Sequence, residues 1–158
     1  MFENEKVFSC FGHGYVKLTE LVKAAVGKEI EEALLNGFTV FLFGGLSNFD
    51  DFVYDVVSEK KLRHPEFNIK RVFCFSLENQ LRKPPVWFKK KEYEEFICPI
   101  KSFDYWYQSI YFRNLAMIDM SDKVLFFAME MEESGAYKAY KYAKKAHKEI
   151  VNLANLRF

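Results

Sequence analysis

The sequence predicts an α/β protein: a single domain built as a three-layer sandwich, with helices on both faces of a mainly parallel sheet of about five strands. Three observations predict it. Short apolar runs alternate with longer amphipathic segments, the pattern of strand, crossover and strand. The apolar runs are nearly continuous, as in strands buried on both faces. Finally, 158 residues, 50% of them hydrophobic and 18% aromatic, suffice for one core over residues 1–158 and are too few to demand a second.

Five runs rich in Val, Ile, Leu and Phe are the expected strands: Lys6 to Phe11, Thr39 to Phe43, Arg71 to Phe75, Lys123 to Ala128 and Glu149 to Leu153. Between the first two, Leu18, Leu21, Val22, Ala25, Ile30, Ala33 and Leu34 recur at helical steps, and Asn36-Gly37 supplies a left-handed stop. The next helix starts near Ser47 or Asn48, either of which can cap it. It turns Phe49, Phe52, Val53, Val56 and Val57 inward and ends before Pro65.

A further helical segment, from about Asp104 to Met120, leads into the fourth strand. The last helix runs from Ser134 to about Lys148, with Ala136, Ala139, Tyr140, Ala143 and Ala146 on one stripe and Lys138, Lys141, Lys144, Lys145 and Lys148 outward or sideways. From Ser76 to Lys101 the rhythm breaks, with Pro84-Pro85, Lys89-Lys90-Lys91 and a short apolar piece from Phe96 to Ile100. An excursion with one short strand is expected there. This order of elements makes the fold Rossmann-like.

Charge excludes some partners. With 23 basic and 22 acidic residues there is no basic field of the kind duplex nucleic acid requires. Charged residues interrupt every apolar stretch, so no segment is expected to cross a membrane, and no membrane partner is expected. Residues Met1 to Glu5 lack a signal-peptide pattern. Cys10, Cys74 and Cys98 form no Cys-x-x-Cys pair and are expected to be reduced core residues of a cytoplasmic protein. Neither a metal site nor a cofactor is expected.

Ligands of open parallel sheets bind beyond the carboxyl ends of the strands. After the first expected strand comes Gly12-His13-Gly14, after the second Gly44-Gly45-Leu46-Ser47-Asn48-Phe49-Asp50, and after the fourth Met129 through Ser134-Gly135. Gly44-Gly45 and Ser134-Gly135 each precede a helix, where unpaired amides and the helix dipole suit a phosphate. Glycines in such places also serve tight turns alone.

His13 suits phosphate contact or proton transfer, or else a plain loop hydrogen bond. Asp50 in a first helical turn either meets a sugar hydroxyl or simply complements the dipole. Arg113 offers a fork for phosphate or for a surface acid. Tyr105, Trp106, Tyr107, Tyr111 and Phe112 form an aromatic cluster suited to stacking a base, to the core or to a dimer interface. Ser121 or Asp122 is expected to end a helix and start a strand.

Three segments resemble the SLOG superfamily of Rossmann-like proteins, which groups DNA-processing protein A, the lonely-guy cytokinin-activating enzymes and the YpsA-like proteins. The opening strand with Phe11-Gly12-His13 is similar to the YpsA-like start. The segment from Phe43 to Asp50 is similar to the family's Gly-Gly-x-x-Gly-x-Asp loop, with Asn48 in place of the third glycine. The run from Phe112 to Asp122 resembles its Arg-Asn-x-x-Met-x-Asp-x-Ser-Asp segment, and Glu133-Ser134-Gly135-Ala136-Tyr137 stands where relatives carry a glycine-threonine phosphate loop.

The resemblance implies a site for a nucleotide or nucleotide-derived small ligand, bound or sensed at the loops after strands one, two and four. Its residues are Gly12, His13, Gly44, Gly45, Ser47, Asn48, Asp50, Arg113, Asn114, Ser134, Gly135 and Ala136, with Arg113 near a phosphate. It also implies a homodimer.

Two departures separate the chain from that family. Gly14 replaces an arginine, and Ala139 stands where phosphoribohydrolases carry a glutamate. An alanine cannot stabilise a sugar cation, so no catalytic residue is assigned. The alternatives are an N-glycoside hydrolase or phosphoribohydrolase acting on nucleoside monophosphates through Glu130, Glu132 or Glu133, and a non-catalytic dimeric interaction protein.

Overall fold

The computed structural model describes residues 1–45, 47–88, 91–100, 105–131 and 133–156. Its strands are β1 (Lys6–Gly12), β2 (Phe38–Phe43), β3 (Lys70–Cys74), β4 (Glu95–Ile97), β5 (Lys123–Phe127) and β6 (Glu149–Asn152). They form one sheet in the order β4-β3-β2-β1-β5-β6, with every neighbouring pair parallel. The α-helices are α1 (Glu20–Leu35), α2 (Asn48–Arg63), α3 (Ser109–Met120) and α4 (Gly135–Lys145).

Because successive strand residues point to opposite faces, the core divides in two. Phe8, Cys10, Phe41, Phe43, Phe73 and Leu125 pack under Val22, Val26 and Ile30 of α1 and Phe49, Val53 and Val57 of α2. Val7, Phe11, Val40, Leu42, Val72, Val124 and Phe126 pack under Met117 and Ile118 of α3 and Ala136, Ala139 and Ala143 of α4. The result is the expected Rossmann-like three-layer α/β sandwich. Alanine methyls bring α4 close to the sheet.

The helix ends follow local chemistry. Thr19 caps α1 by accepting from the Val22 amide at 3.2 Å, and Ser47 caps α2 by accepting from Asp50 at 3.0 Å. The α1 stop at Asn36-Gly37 and the end of α2 before Pro65 are as expected. Ser121 ends α3: its hydroxyl donates to the Met117 carbonyl at 2.7 Å and accepts from Ser9 at 2.8 Å. Asp122 then pairs with Val7 in both directions, its carboxylate accepting and its amide donating, which seats β5 beside β1.

Several expectations need correction. The sheet has six strands: the short piece in the excursion, β4, pairs with β3 and extends the sheet. Burial on both faces holds for the central strands, whereas Glu95 and Phe96 of β4 are exposed and β6 is only part-buried, as edge positions are. The last helix stops at Lys145, because His147 adopts a left-handed φ of 57° and turns the chain into β6, leaving Ala146 exposed. Cys10 and Cys74 are buried free thiols, but Cys98, just beyond β4, is half-buried. The start of the third helix at Asp104 falls outside the described residues, as do Leu46, Lys89, Lys90, Lys101 and Glu132.

The excursion folds back as an aromatic layer over the β3 edge. Phe88, Tyr93 and Phe96 cluster on Phe73 and Phe75. A buried ion pair fastens it: Arg71, 6% exposed, grips Glu94 with Nε and Nη2 at 2.9 and 2.8 Å, while its Nη1 donates to Ser58. Among the described residues, no helix is long and apolar enough to cross a membrane.

Candidate functional site

From β1 the chain winds outward through β2 to β3 on one side. From β5 it winds outward to β6 on the other. The loops after β1 and β5 therefore part company, and a crevice opens between them. A cavity of about 360 Å³ occupies it, walled by Phe11 to Gly14 at the end of β1 and just beyond, Ser47 and Asp50 of the α2 start, Ile110, Arg113 and Asn114 of α3, and Met131 with Ser134 to Ala136 at the α4 start.

Nine of the twelve nominated residues border this cavity: Gly12, His13, Ser47, Asp50, Arg113, Asn114, Ser134, Gly135 and Ala136. Gly44, Gly45 and Asn48 do not. Asn48 is turned to the β1–α1 loop, its amide accepting from and donating to the backbone of Val16 at 2.7 Å each way. Gly45 adopts a left-handed φ of 70° and is packed under the Phe73 ring. Gly44 makes room for Arg113, whose guanidinium lies against it. The glycine pair thus serves close packing and does not border the cavity.

At the α4 start the arrangement suits an anion. Ser134 caps the helix by accepting from the Tyr137 amide at 3.3 Å. The Gly135 and Ala136 amides have no acceptor within the helix and border the cavity. Two hydrogen bonds fix His13 beside them. The Met129 amide donates to Nε2 at 2.7 Å, so Nε2 carries no proton, and Nδ1 donates to the Ser134 hydroxyl at 2.8 Å. Ser134 accepts twice, which leaves its own hydroxyl proton over. Burial pushes the His13 pKa below 6.5 and keeps the ring neutral. Held in this way, His13 clamps two loops and has no free nitrogen for proton transfer.

Arg113 and Asn114 reach the cavity because α3 repeats its inward face at three- and four-residue steps through Met117 and Ile118. Arg113 is 4% exposed. Its Nε and Nη2 donate to Asn114 Oδ1 at 3.2 and 2.8 Å, and Nη1 donates to the Gly44 and Cys74 carbonyls, each at 3.3 Å. Four bonds engage four of its five N–H groups, leaving one over. Among the described residues it makes no ion pair within 4.0 Å. Burial lowers its pKa, while Cys74, Asp50 and Cys98 act the other way. Arg113 therefore both ties α3 to the ends of β2 and β3 and leaves positive charge at the cavity wall.

Asp50, 7% exposed, brings a carboxylate to the same cavity, and the Cys10 thiol donates to its Oδ1 at 3.7 Å. Burial, then the Asp50 charge, pushes the Cys10 pKa well up, so it stays a thiol. Glu130 and Glu133 are exposed and outside the cavity wall.

Sequence reasoning did not nominate Phe11, Gly14, Ile110 and Met131. Ile110 was within reach, being three residues before Arg113 on one helix face, and Phe11 ends the strand that Gly12 follows. Nothing in the sequence marks Met131. Among the described residues there is no cluster of three or more His, Cys, Asp or Glu that could hold a metal. No family model matches the chain, and neither does any curated protein.

Proposed function

We propose that this protein binds or senses a nucleotide or nucleotide-derived small ligand in the crevice between β1 and β5. One observation carries the reading: a buried arginine without a carboxylate partner among the described residues faces the same cavity as the unpaired first-turn amides of α4. These groups offer positive potential and donors to a phosphate, while Asp50 offers an acceptor to sugar hydroxyls. The three segments that resemble the SLOG superfamily support the same reading, and membership in it is part of this proposal.

Binding is tested by thermal denaturation with nucleoside mono- and diphosphates, dinucleotides and ADP-ribose. A ligand at 100 times its dissociation constant adds about 2.7 kcal/mol, a rise of roughly 5–10 °C for a domain of this size. Gly135→Asp is the diagnostic variant. A Cβ at Gly135 meets nothing within 4 Å, and an aspartate there suits the helix dipole yet repels an anion. The variant is expected to fold normally and lose the shift. No shift with any of these compounds removes the proposal.

Asp50 favours a second reading, hydrolysis of an N-glycosidic bond, because it is the carboxylate among the described residues lining the cavity. Release of free base from nucleoside monophosphates, lost in Asp50→Asn, would establish it. Glu130 and Glu133 are poorly placed for that chemistry.

A further inference from the structure

Against the expectation of no membrane partner, which rested on the lack of a membrane-crossing segment, we infer that the face formed by the start of α3 and the outer side of α4 docks peripherally on an anionic lipid surface. Two sequence runs build this face, Tyr105 to Ile118 and Ser134 to Lys148, and neither contains a carboxylate, although acids flank both and the next residue of α3, Asp119, accepts from Tyr142 of α4 at 2.7 Å. The second carries Lys138, Lys141, Lys144, Lys145 and Lys148. These lysines set the sign of the whole chain, since 23 basic residues face 22 acidic ones with them and 18 face 22 without them. The net positive charge is therefore supplied by α4 and the turn that follows it, on an otherwise slightly acidic molecule, which complements a negatively charged surface.

Beside the lysines stands an apolar ridge. Tyr105, Trp106, Tyr107, Ile110 and Tyr111 are 57%, 74%, 64%, 44% and 41% exposed. The two parts are continuous, because Tyr111 lines a groove together with Lys138, Lys141, Tyr142 and Lys145. Aromatic rings with a polar tip, next to clustered lysines, match the headgroup boundary of a bilayer, where the ring enters and the ammonium stays at the phosphates.

Single-stranded nucleic acid fits this face less well. It needs open ring faces on which to stack bases. Here Tyr105 and Tyr107 stack on each other at 5.3 Å, and the Lys141 and Lys144 ammonium groups cover Tyr137 and Tyr140. Ile110 has no ring to offer.

The test is co-sedimentation of the full chain with vesicles of phosphatidylcholine alone and vesicles in which phosphatidylserine replaces about a third of the lipid. Binding is expected to be at least about tenfold stronger on the anionic vesicles and to weaken with salt. Lys138→Gln with Lys145→Gln should reduce binding several-fold and flatten the salt dependence. Trp106→Ala with Tyr107→Ala should reduce it while keeping that dependence. None of the four substituted residues borders the ligand cavity, unlike Ile110 of the ridge, and circular dichroism checks the fold of each variant. The inference is overturned by equal partitioning on both vesicles, by no binding at low salt, or by variants that bind as wild type. Tighter binding of a single-stranded oligonucleotide or of poly-glutamate to this face overturns it too, as does a dimer that Trp106→Ala dissociates.

Discussion

Arg113 stands so close over Gly44 that a Cβ built on the glycine would lie 2.7 Å from Nη2 and 2.8 Å from Cζ. A side chain that could swing aside would absorb such a clash, but this guanidinium is held by four hydrogen bonds in a buried slot. Gly44→Ala is therefore expected to cost about 1–3 kcal/mol, measured by urea unfolding. It should also weaken any ligand that uses Arg113.

Gly27 predicts the opposite sign. It sits inside α1 with ordinary helical backbone and nothing within 4 Å of a Cβ. Gly27→Ala is expected to stabilise by about 0.5–1 kcal/mol, seen as a higher urea midpoint with an unchanged slope.

His13 ties stability to pH. Its folded pKa lies below 6.5, so below that pH the unfolded chain binds more protons than the folded one. Stability is therefore expected to fall as pH drops below about 6.5, because protonating Nε2 sets a proton against the Met129 amide. Wild type should lose more stability than His13→Gln between neutral pH and pH 5. An NMR titration showing His13 at or above its ordinary value would contradict this account.

Arg71 holds the excursion to the sheet. Burial pushes the Glu94 carboxyl up, but the hydrogen bonds and charge of Arg71 outweigh it and leave the pKa below its ordinary value. This pairing contributes stability above the usual carboxylate range and is lost as pH falls through the lowered pKa. Arg71→Met is expected to cost about 2–4 kcal/mol, toward the low end for a broken buried pair, because Glu94 keeps some water. Hydrogen exchange should show the loss concentrated in β4 and residues 92–97.

Much of the fold was legible because helices and central strands write their burial into spacing. Val22, Ile30, Ala33 and Leu34 of the α1 stripe, a cap at Ser47 or Asn48 and the stop at Asn36-Gly37 could be read directly, although Leu21 of that stripe is exposed and the fully buried Val26 was not in it. β4 was foreseen as a short strand but not as part of the sheet: at three residues with two exposed, it has too little apolar pattern to show that it pairs with β3. For the aromatic residues from Tyr105 to Tyr111 three roles were open, and their exposure excludes only the core, since hydrophobic type alone does not say whether a ring meets the core or water.

The site was legible in part for the same reason. Its walls come from strand ends and helix starts, which glycines and capping serines mark. Side-chain direction was not readable. Gly44 and Gly45 looked like an anion loop but are small because Arg113 and Phe73 press on them. His13 looked like a reactive group but is occupied at both nitrogens by partners 116 and 121 residues away in sequence.

The cavity lies between β1 and β5, whereas the irregular stretch from Ser76 to β4 hangs on the opposite border of the sheet, beyond β2 and β3. A descendant of this chain can lengthen or trim that stretch without displacing a wall atom contributed by Gly12, Asp50 or Ser134. The crevice and the outer margin of the sheet are thus mechanically separate, so a change in the length of that stretch is expected to leave the crevice intact.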